Sequence, residues 1–449
     1  MAVTQPPDYE PPQDQPPEAG PDRQIQALLD PFGRFGVELG LERIQRLLAA
    51  LDNPQDQVPL VHVAGTNGKG SVCAYLSAVL KAAGYRVGRY TSPHLVSWRE
   101  RIAVNDLPIR SEALIQRLHQ VVAAIDPALP SPTQFEVLTA AAWLHFAETG
   151  VDVVVMEVGL GGRLDATNVV NAPLVSVITS LSREHWQRLG PTLADIAFEK
   201  AGVLKPGRPA IIGPLPPAAE AVVKARLADL GCPAVWPAPA VSAGPGLVRY
   251  GSAEDGITYP LVLLGEHQRV NSALAIAALQ SLRHQGWDIS DEAIATGMGQ
   301  ARWPGRLQWV QWGQPAYPLL IDGAHNPAAA GVLRQYVDSW WASQLNPQPT
   351  AWLMGMLATK DHGDIFAALL RPDDTLHLVP VPGHETAAPE ELGAIARSLC
   401  PELAHCQIHP SLRDGLLALG QSPSPLRVLC GSLYLIGHFL ATEPYRERS

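Results

Sequence analysis

The chain alternates between two hydrophobic periods. Short, predominantly apolar runs at 58–61, 151–156, 174–179 and 210–212 read as strands buried on both faces, because a half-exposed strand would alternate apolar with polar residues throughout. Between them, the patterns at 69–83, 111–125, 134–148, 192–201 and 218–230 read as helices, with Gly202 marking the stop of one. Ahead of the first run, Ile25, Leu28, Leu41, Ile44, Leu47 and Leu48 space out one or two helices over 25–51. A short strand is expected at 86–90 and a hairpin about Asn105-Asp106. This alternation predicts helices covering a mostly parallel sheet. From 231 to 264, Pro and Gly punctuate short strands, the mark of a small antiparallel appendage, and helices follow at 267–285 and 291–301. Behind the breaker Trp303-Pro304-Gly305-Arg306 a fresh alternation begins. Its strands lie near Leu319, Trp352, Leu376 and Arg427, and its helices near Pro327, Asp364, Glu390 and Ser411. The expected division is a disordered Pro-rich tail at 1–23, a larger domain at 24–301 and a smaller one at 302–449.

Composition narrows the class without changing this layout. A chain of 449 residues favours two domains, and 47% hydrophobic with 17% charged residues is globular. No apolar run is long enough to span a bilayer, and the first residues lack the basic-then-apolar order of a secretory signal. Five cysteines, at 73, 232, 400, 406 and 430, show neither CxxC pairing nor zinc-ligand spacing, which fits a reducing cytoplasm. A net charge of −10 argues against a nucleic-acid partner, although a local positive cleft for small anions is compatible with it.

The most informative stretch is His62-Val63-Ala64-Gly65-Thr66-Asn67-Gly68-Lys69-Gly70-Ser71, a strand, a glycine loop and a helix start. Its glycines allow a tight turn with N–H groups aimed inward, beside the positive end of the helix dipole, which suits a polyphosphate. Lys69 would add a point charge, and the Ser71 hydroxyl would sit where a Mg²⁺ ligand is wanted. A strict Walker A motif carries Ser or Thr directly after the Lys, whereas Gly70 intervenes here; a turn serving only strand-to-helix packing is the alternative. The fold class expected is α/β, a P-loop NTPase-like, mostly parallel sheet domain followed by a smaller Rossmann-like α/β domain.

Other polar residues lie where open α/β sheets place their ligands. Glu157 ends a buried run and could hold Mg²⁺, or could simply sit at the solvent rim. His185 follows the next run and could join it, or be a structural histidine. Lys200, in the last helical turn before Gly202, complements the helix dipole. Asp322 and His325 follow the apolar strand at 319–321, where Asp322 reads equally as a turn residue and Asn326 as the N-cap before Pro327. Ser432 stands in another strand-end turn.

Taken in order, these stretches resemble the folylpolyglutamate synthase and dihydrofolate synthase family, a branch of the Mur ligase superfamily. The matching blocks are Gly-Leu-Glu-Arg-Ile at 40–44, the loop at 62–71, Thr-Ser-Pro-His at 91–94 and Phe-Glu at 135–136. They continue with Glu157, Gly-Gly-Arg-Leu-Asp-Ala-Thr-Asn at 161–168, Leu189-Gly190 with Thr192, Glu-Lys-Ala-Gly at 199–202, and His267-Gln268 with Asn271. Trp-Pro-Gly-Arg at 303–306, residues 322–327 and Gly-Ser-Leu-Tyr at 431–434 complete the series. The family loop also carries the Gly70 insertion. The resemblance implies an ATP-dependent ligase that joins L-glutamate to a dihydropteroate or reduced-folate carboxylate through an acyl phosphate, as a bifunctional dihydrofolate and folylpolyglutamate synthase. It implies two Mg²⁺ ions, the first on Ser71, Ser92 and Glu157 and the second on His185 and a CO₂-carbamylated Lys200, with Lys69 catalytic alongside Glu157, His185 and Lys200. ATP would lie on Gly65, Thr66, Asn67, Gly68, Lys69, Gly70 and Ser71, met by Asn271, Arg306, Asp322 and His325. Substrate contacts would fall to Glu136, Arg163, Asp165, Thr167, Asn168, Ser432 and Tyr434. The expected protein is a cytoplasmic monomer without nucleic-acid or membrane partners.

This chain departs from the family pattern in places. Glu184 replaces the usual Asp before His185, Ser182-Arg183 is atypical, the match near Lys360-Asp361 is loose, and no Arg stands at 380–390. A synthase restricted to polyglutamate extension is the nearest alternative. A cell-wall Mur ligase and a catalytically silent nucleotide-binding regulator are remoter ones.

Overall fold

The computed structural model describes residues 20–33, 39–346 and 348–447. Its first sheet is built from β1 (Leu60–Ala64), β2 (Val87–Tyr90), β3 (Ile102–Val104), β4 (Leu107–Pro108), β5 (Val153–Glu157), β6 (Val175–Ile178), β7 (Ala210–Ile212) and β8 (Ala234–Val235). The order is β4-β3-β2-β5-β1-β6-β7-β8, parallel except that β3 runs against β2 and β4. The central strands are apolar throughout because both faces are covered. Val61, Val63, Val153 and Val155 pack on one side with Val72, Leu76 and Leu274, while Leu60, Val154 and Met156 pack on the other with Leu138 and Trp143. Each such side chain contributes about 1.5–3 kcal/mol by leaving water. The turn between β3 and β4 places Asn105 and Asp106 at φ 52° and 66°, the left-handed pair that a tight hairpin needs.

The appendage is a three-stranded antiparallel sheet of β9 (Val241–Gly244), β10 (Leu247–Tyr250) and β11 (Ile257–Pro260). It shares the first core through Val248, Ile257 and Tyr259. The last sheet holds β12 (Gln308–Trp312), β13 (Tyr317–Ile321), β14 (Ala351–Met354), β15 (Thr375–Leu378), β16 (His405–Ile408), β17 (Arg427–Cys430) and β18 (Tyr445–Glu447). Its order is β16-β15-β14-β17-β13-β12-β18, with five parallel strands followed by an antiparallel edge.

Three expectations are adjusted. Residues 1–19 of the expected tail lie outside the described residues, and helix Pro21–Leu29 begins inside its last three positions, burying Ile25 and Leu29. Gly202 does mark the stop of helix Leu193–Ala201, though without a left-handed turn. Its φ is −66°, and glycine is needed because a Cβ would lie 2.2 Å from that of Arg163. Strands β12, β16 and β18 and helix Leu433–Thr442 are additional to those expected: the strands lie at or near a sheet edge and mix polar with apolar residues, and the helix is apolar almost all round, which hides its period. Among the described residues no helix is long and apolar enough to cross a membrane.

Candidate active site

The carboxyl ends of β1, β5 and β6 and the loops after β13, β14 and β17 line one cleft of about 3,130 Å³. The glycine loop forms its floor. Gly68 caps helix Lys69–Ala82 at φ 88°, and a Cβ on Gly65 would come within 2.0 Å of Thr179 Oγ1, so neither tolerates a side chain. Gly70 is helical; it is confined instead by Trp303, whose ring would lie 2.2 Å from an added Cβ. Two of the loop's N–H groups do not face the cleft as expected. Thr66 N donates to Ser180 O at 2.7 Å and Asn67 N to Ser180 Oγ at 3.2 Å, which leaves anion binding to the first turn of the helix. Lys69 Nζ donates to Thr66 O at 3.0 Å. The Ser71 hydroxyl accepts from Gln268 Nε2 at 3.2 Å, and Gln268 Oε1 accepts from Asn271 Nδ2 at 3.0 Å.

Glu157 stands at the end of β5, buried, with Oε1 3.8 Å from Lys69 Nζ and Oε2 accepting from Ser92 N at 3.2 Å. Burial raises its pKa, and Lys69 and the Ser92 N–H only partly offset this. The carboxylate therefore lacks positive charge, a shortfall that a divalent cation would correct. Among the described residues no three His, Cys, Asp or Glu side chains converge on a metal position. A cation here would rest on hydroxyl, carboxylate and ligand oxygens, the hard donors that Mg²⁺ prefers. His185 caps helix Trp186–Leu189 in the left-handed conformation, and burial pushes its pKa down to about 4 although 47% of its side chain is exposed, which leaves the ring neutral near pH 7.

Lys200 is not a surface cation complementing a helix dipole. It is buried beneath the glycine loop with Nζ donating to Gly65 O at 2.7 Å, and it does not line the cleft. Burial, reinforced by Lys69, lowers its pKa to about 7.

The opposite wall comes from the last sheet. Asp322, at the end of β13, accepts from Leu307 N and Ala324 N at 2.8 Å each, so it does hold a turn while facing the cleft. Burial raises its pKa against Arg306. Arg306 lies beneath Gly323, where a Cβ would sit 2.2 Å from Nη1. Asn326 caps helix Pro327–Ala342 by accepting from Ala329 N at 2.8 Å, with Pro327 first in the helix. Glu184 reaches across to this wall: Oε1 lies 3.3 Å from His325 Nε2, 3.2 Å from Asn326 Nδ2 and 3.9 Å from Lys360 Nζ. Burial would raise its pKa, but the hydrogen bond and charge of His325, with Lys360, outweigh burial and hold it well below the carboxylate range. Ser432 caps helix Leu433–Thr442, and the Tyr434 ring stacks on His384 at 3.8 Å; Ser432 and Tyr434 both line the cleft.

Several expected substrate contacts have partners within the fold. Arg163, Thr167 and Asn168 do not line the cleft. Arg163 pairs with Glu199 at 2.7 Å, Asn168 Nδ2 donates to Arg163 O and Gly202 O, and Thr167 Oγ1 meets His62 Nε2 at 2.9 Å. Asp165 reaches the cleft wall, but its carboxylate gathers Leu160 N, Thr167 N and Thr167 Oγ1. Glu136 also lines the cleft, while its Oε2 accepts from Thr133 N and Arg43 Nε. Gln268, Trp303 and Lys360 were passed over as site residues. Each left a signal: Gln268 lies three residues from Asn271 on one helical face, Trp303 opens the Trp-Pro-Gly-Arg block, and Lys360 stands in a loosely matching stretch.

Comparison with known proteins adds to this geometry. A family model of the Mur ligase middle domain matches residues 63–213, and one of the dihydrofolate synthetase C-terminal domain matches residues 306–442. The dihydrofolate synthase/folylpolyglutamate synthase of Bacillus subtilis is 38% identical over 368 residues, 76% of this chain and 84% of that protein. The folylpolyglutamate synthase of Lacticaseibacillus casei is 36% identical over 427 residues, 91% and 95% of the two chains. The crystal structure of Mycobacterium tuberculosis folylpolyglutamate synthase complexed with ADP and AMPPCP superposes with a TM-score of 0.80 at 31% identity, covering 94% of this chain and 99% of that one.

Proposed function

This chain belongs to the folylpolyglutamate synthase and dihydrofolate synthase family, and from that premise we propose that it joins L-glutamate to the carboxylate of dihydropteroate and of reduced folates at the expense of ATP. An acceptor carboxylate oxygen attacks the γ-phosphorus and ADP leaves; the glutamate amine then attacks the acyl carbon, phosphate departs, and the amide remains. The observation that carries this reading is the buried Glu157 carboxylate, short of positive charge, 3.8 Å from Lys69 at the mouth of a glycine loop. Two anions meet only where charge is neutralised and water excluded, and a cleft walled by two sheets supplies both conditions on closure.

Each residue then has a task. Within the loop from Gly65 to Ser71, the first helical turn cradles the phosphates while Thr66 and Asn67 shape the loop against Ser180, Lys69 faces the outer phosphates, and Asn271, Arg306, Asp322 and His325 hold the nucleotide from the other walls. Ser71, Ser92 and Glu157 would hold one Mg²⁺, and His185 with a modified Lys200 would hold a second; bound there, the ions would supply neutralising charge for the phosphates. Lys200 suits carbamylation because a pKa of about 7 leaves much of it as free amine. Its nitrogen lone pair bonds the carbon of CO₂, one N–H proton passes to solvent, and a carboxylate-ended side chain replaces a cation. Ser432 and Tyr434 face the glutamate, and Glu136 and Asp165 act mainly by shaping the acceptor end. We divide the chain into two domains at 301/302, the first beginning with helix Pro21–Leu29 rather than at 24, working as a monomer in the cytoplasm.

Bifunctionality draws support from the name of the B. subtilis relative. The test is ADP release and amide product from purified protein with Mg²⁺, ATP and L-glutamate, given either dihydropteroate or tetrahydrofolate. Turnover with both is expected. Turnover with tetrahydrofolate alone restricts the enzyme to chain extension, and turnover with neither overturns the reading in favour of a silent nucleotide binder.

A further inference from the structure

We propose that Glu184 is an interdomain positioning residue, a latch that ties the loops of the carboxy-terminal sheet to the glycine loop. Its carboxylate belongs to the loop behind β6, yet three of the four donors around Oε1 come from the other side of the cleft. His325 and Asn326 lie on the loop leaving β13, and Lys360 lies on the loop leaving β14. The fourth, His185 Nε2, stands 3.9 Å away on its own loop. A carboxylate with only 11% of its side chain exposed needs such partners, so this set is complete only while the two sheets face each other closely.

Asn326 makes the latch more than a local contact. Its Nδ2 donates to Glu184 Oε1 at 3.2 Å and to Asn67 Oδ1 at 3.1 Å, while Asn67 Nδ2 returns a bond to Asn326 Oδ1 at 3.4 Å. Asn67 is part of the glycine loop, so withdrawal of the far wall would strip that loop of a side-chain partner as Glu184 loses its own. His325 is oriented for the same purpose. Its Nδ1 faces Gly323 O at 2.8 Å, which turns Nε2 towards Glu184. The position of the carboxy-terminal sheet is thereby transmitted to the loop that receives phosphate, through two adjoining contacts rather than through the nucleotide.

The test uses the full chain with Glu184→Gln, Lys360→Met, their combination, and Lys360→Arg. In ligand-free protein, hydrogen exchange at 65–71 and 322–330 should rise together in both single variants while circular dichroism stays unchanged. Binding of Mg²⁺ and AMPPCP, read by calorimetry, should weaken about fivefold or more in each. The double variant should fall no more than about twofold beyond the worse single one, because both remove the same tie. Lys360→Arg should restore both readouts. A silent Lys360→Met, or effects that multiply, would reduce Glu184 to a neighbour of His185 and overturn the latch. The nucleotide arm rests on the proposed ATP-binding function; an analogue that fails to bind the unmodified protein counts against that reading, and the exchange arm still decides the latch.

Discussion

Lys200 shows how a residue changes meaning with its surroundings. By position it is a cation closing a helix, yet the folded chain holds it under Gly65 with a pKa of about 7 against an ordinary 10.5. Below pH 7 both folded and unfolded states carry the proton, and folding bears the full penalty of burying charge. Between about pH 7 and 10.5 the unfolded chain binds more protons, so stability rises with pH, by at most about 1.4 kcal/mol per unit. Lys200→Met should lose that rise. Urea midpoints in CO₂-depleted buffer at pH 7 and pH 9.5 should show the unmodified protein gaining on the variant as pH increases, and the variant should show no turnover at either pH. A gap independent of pH would mean that Lys200 stays charged, and with it the case for carbamylation would weaken. Asp165 and Asn168 carry the opposite lesson: polar residues in a loop beside a buried strand are spent on holding the loop's own backbone.

At the level of elements, helix Gln134–Thr149 places a candidate acceptor-binding residue in a structural role. Thr133 Oγ1 accepts from Glu136 N at 3.3 Å while Glu136 Oε2 accepts from Thr133 N at 2.6 Å, a reciprocal cap that satisfies two free helix donors. Thr133→Ala should lower stability by about 1 kcal/mol in denaturant titration and leave the KM for the acceptor unchanged. A raised KM with unaltered stability would return Glu136 to the substrate. The same cap was legible as Thr133-Gln134-Phe135-Glu136 before an apolar stretch, just as β5 was legible from its unbroken valines. Helix Leu433–Thr442 was not, since an element buried all round carries no stripe.

Across the whole molecule, the chain's return closes the second sheet. β18 pairs with β12, and just before it Glu443 accepts from Trp312 Nε1 at 3.1 Å and Arg413 Nη1 at 3.2 Å. Ending the chain after Thr442 should leave the buried indole without its acceptor, a loss of about 1–3 kcal/mol, and bare the edge of β12. The expected outcome is a lower urea midpoint together with self-association in light scattering. An unchanged midpoint would make β18 dispensable.

What the sequence determined by itself was the kind of each central element, the glycine loop and the family, because burial on two faces, turn chemistry and ordered motifs are written over short spans. What only tertiary structure decided was which polar groups meet. Lys200 finds Gly65 135 residues away, Gln268 finds Ser71 across 197, and Asn326 finds Glu184 across 142. No local period encodes those encounters; they follow from the order in which β5, β1 and β6 lie side by side and from the second sheet facing their ends, and the low dielectric between the sheets then sets the charge each group carries.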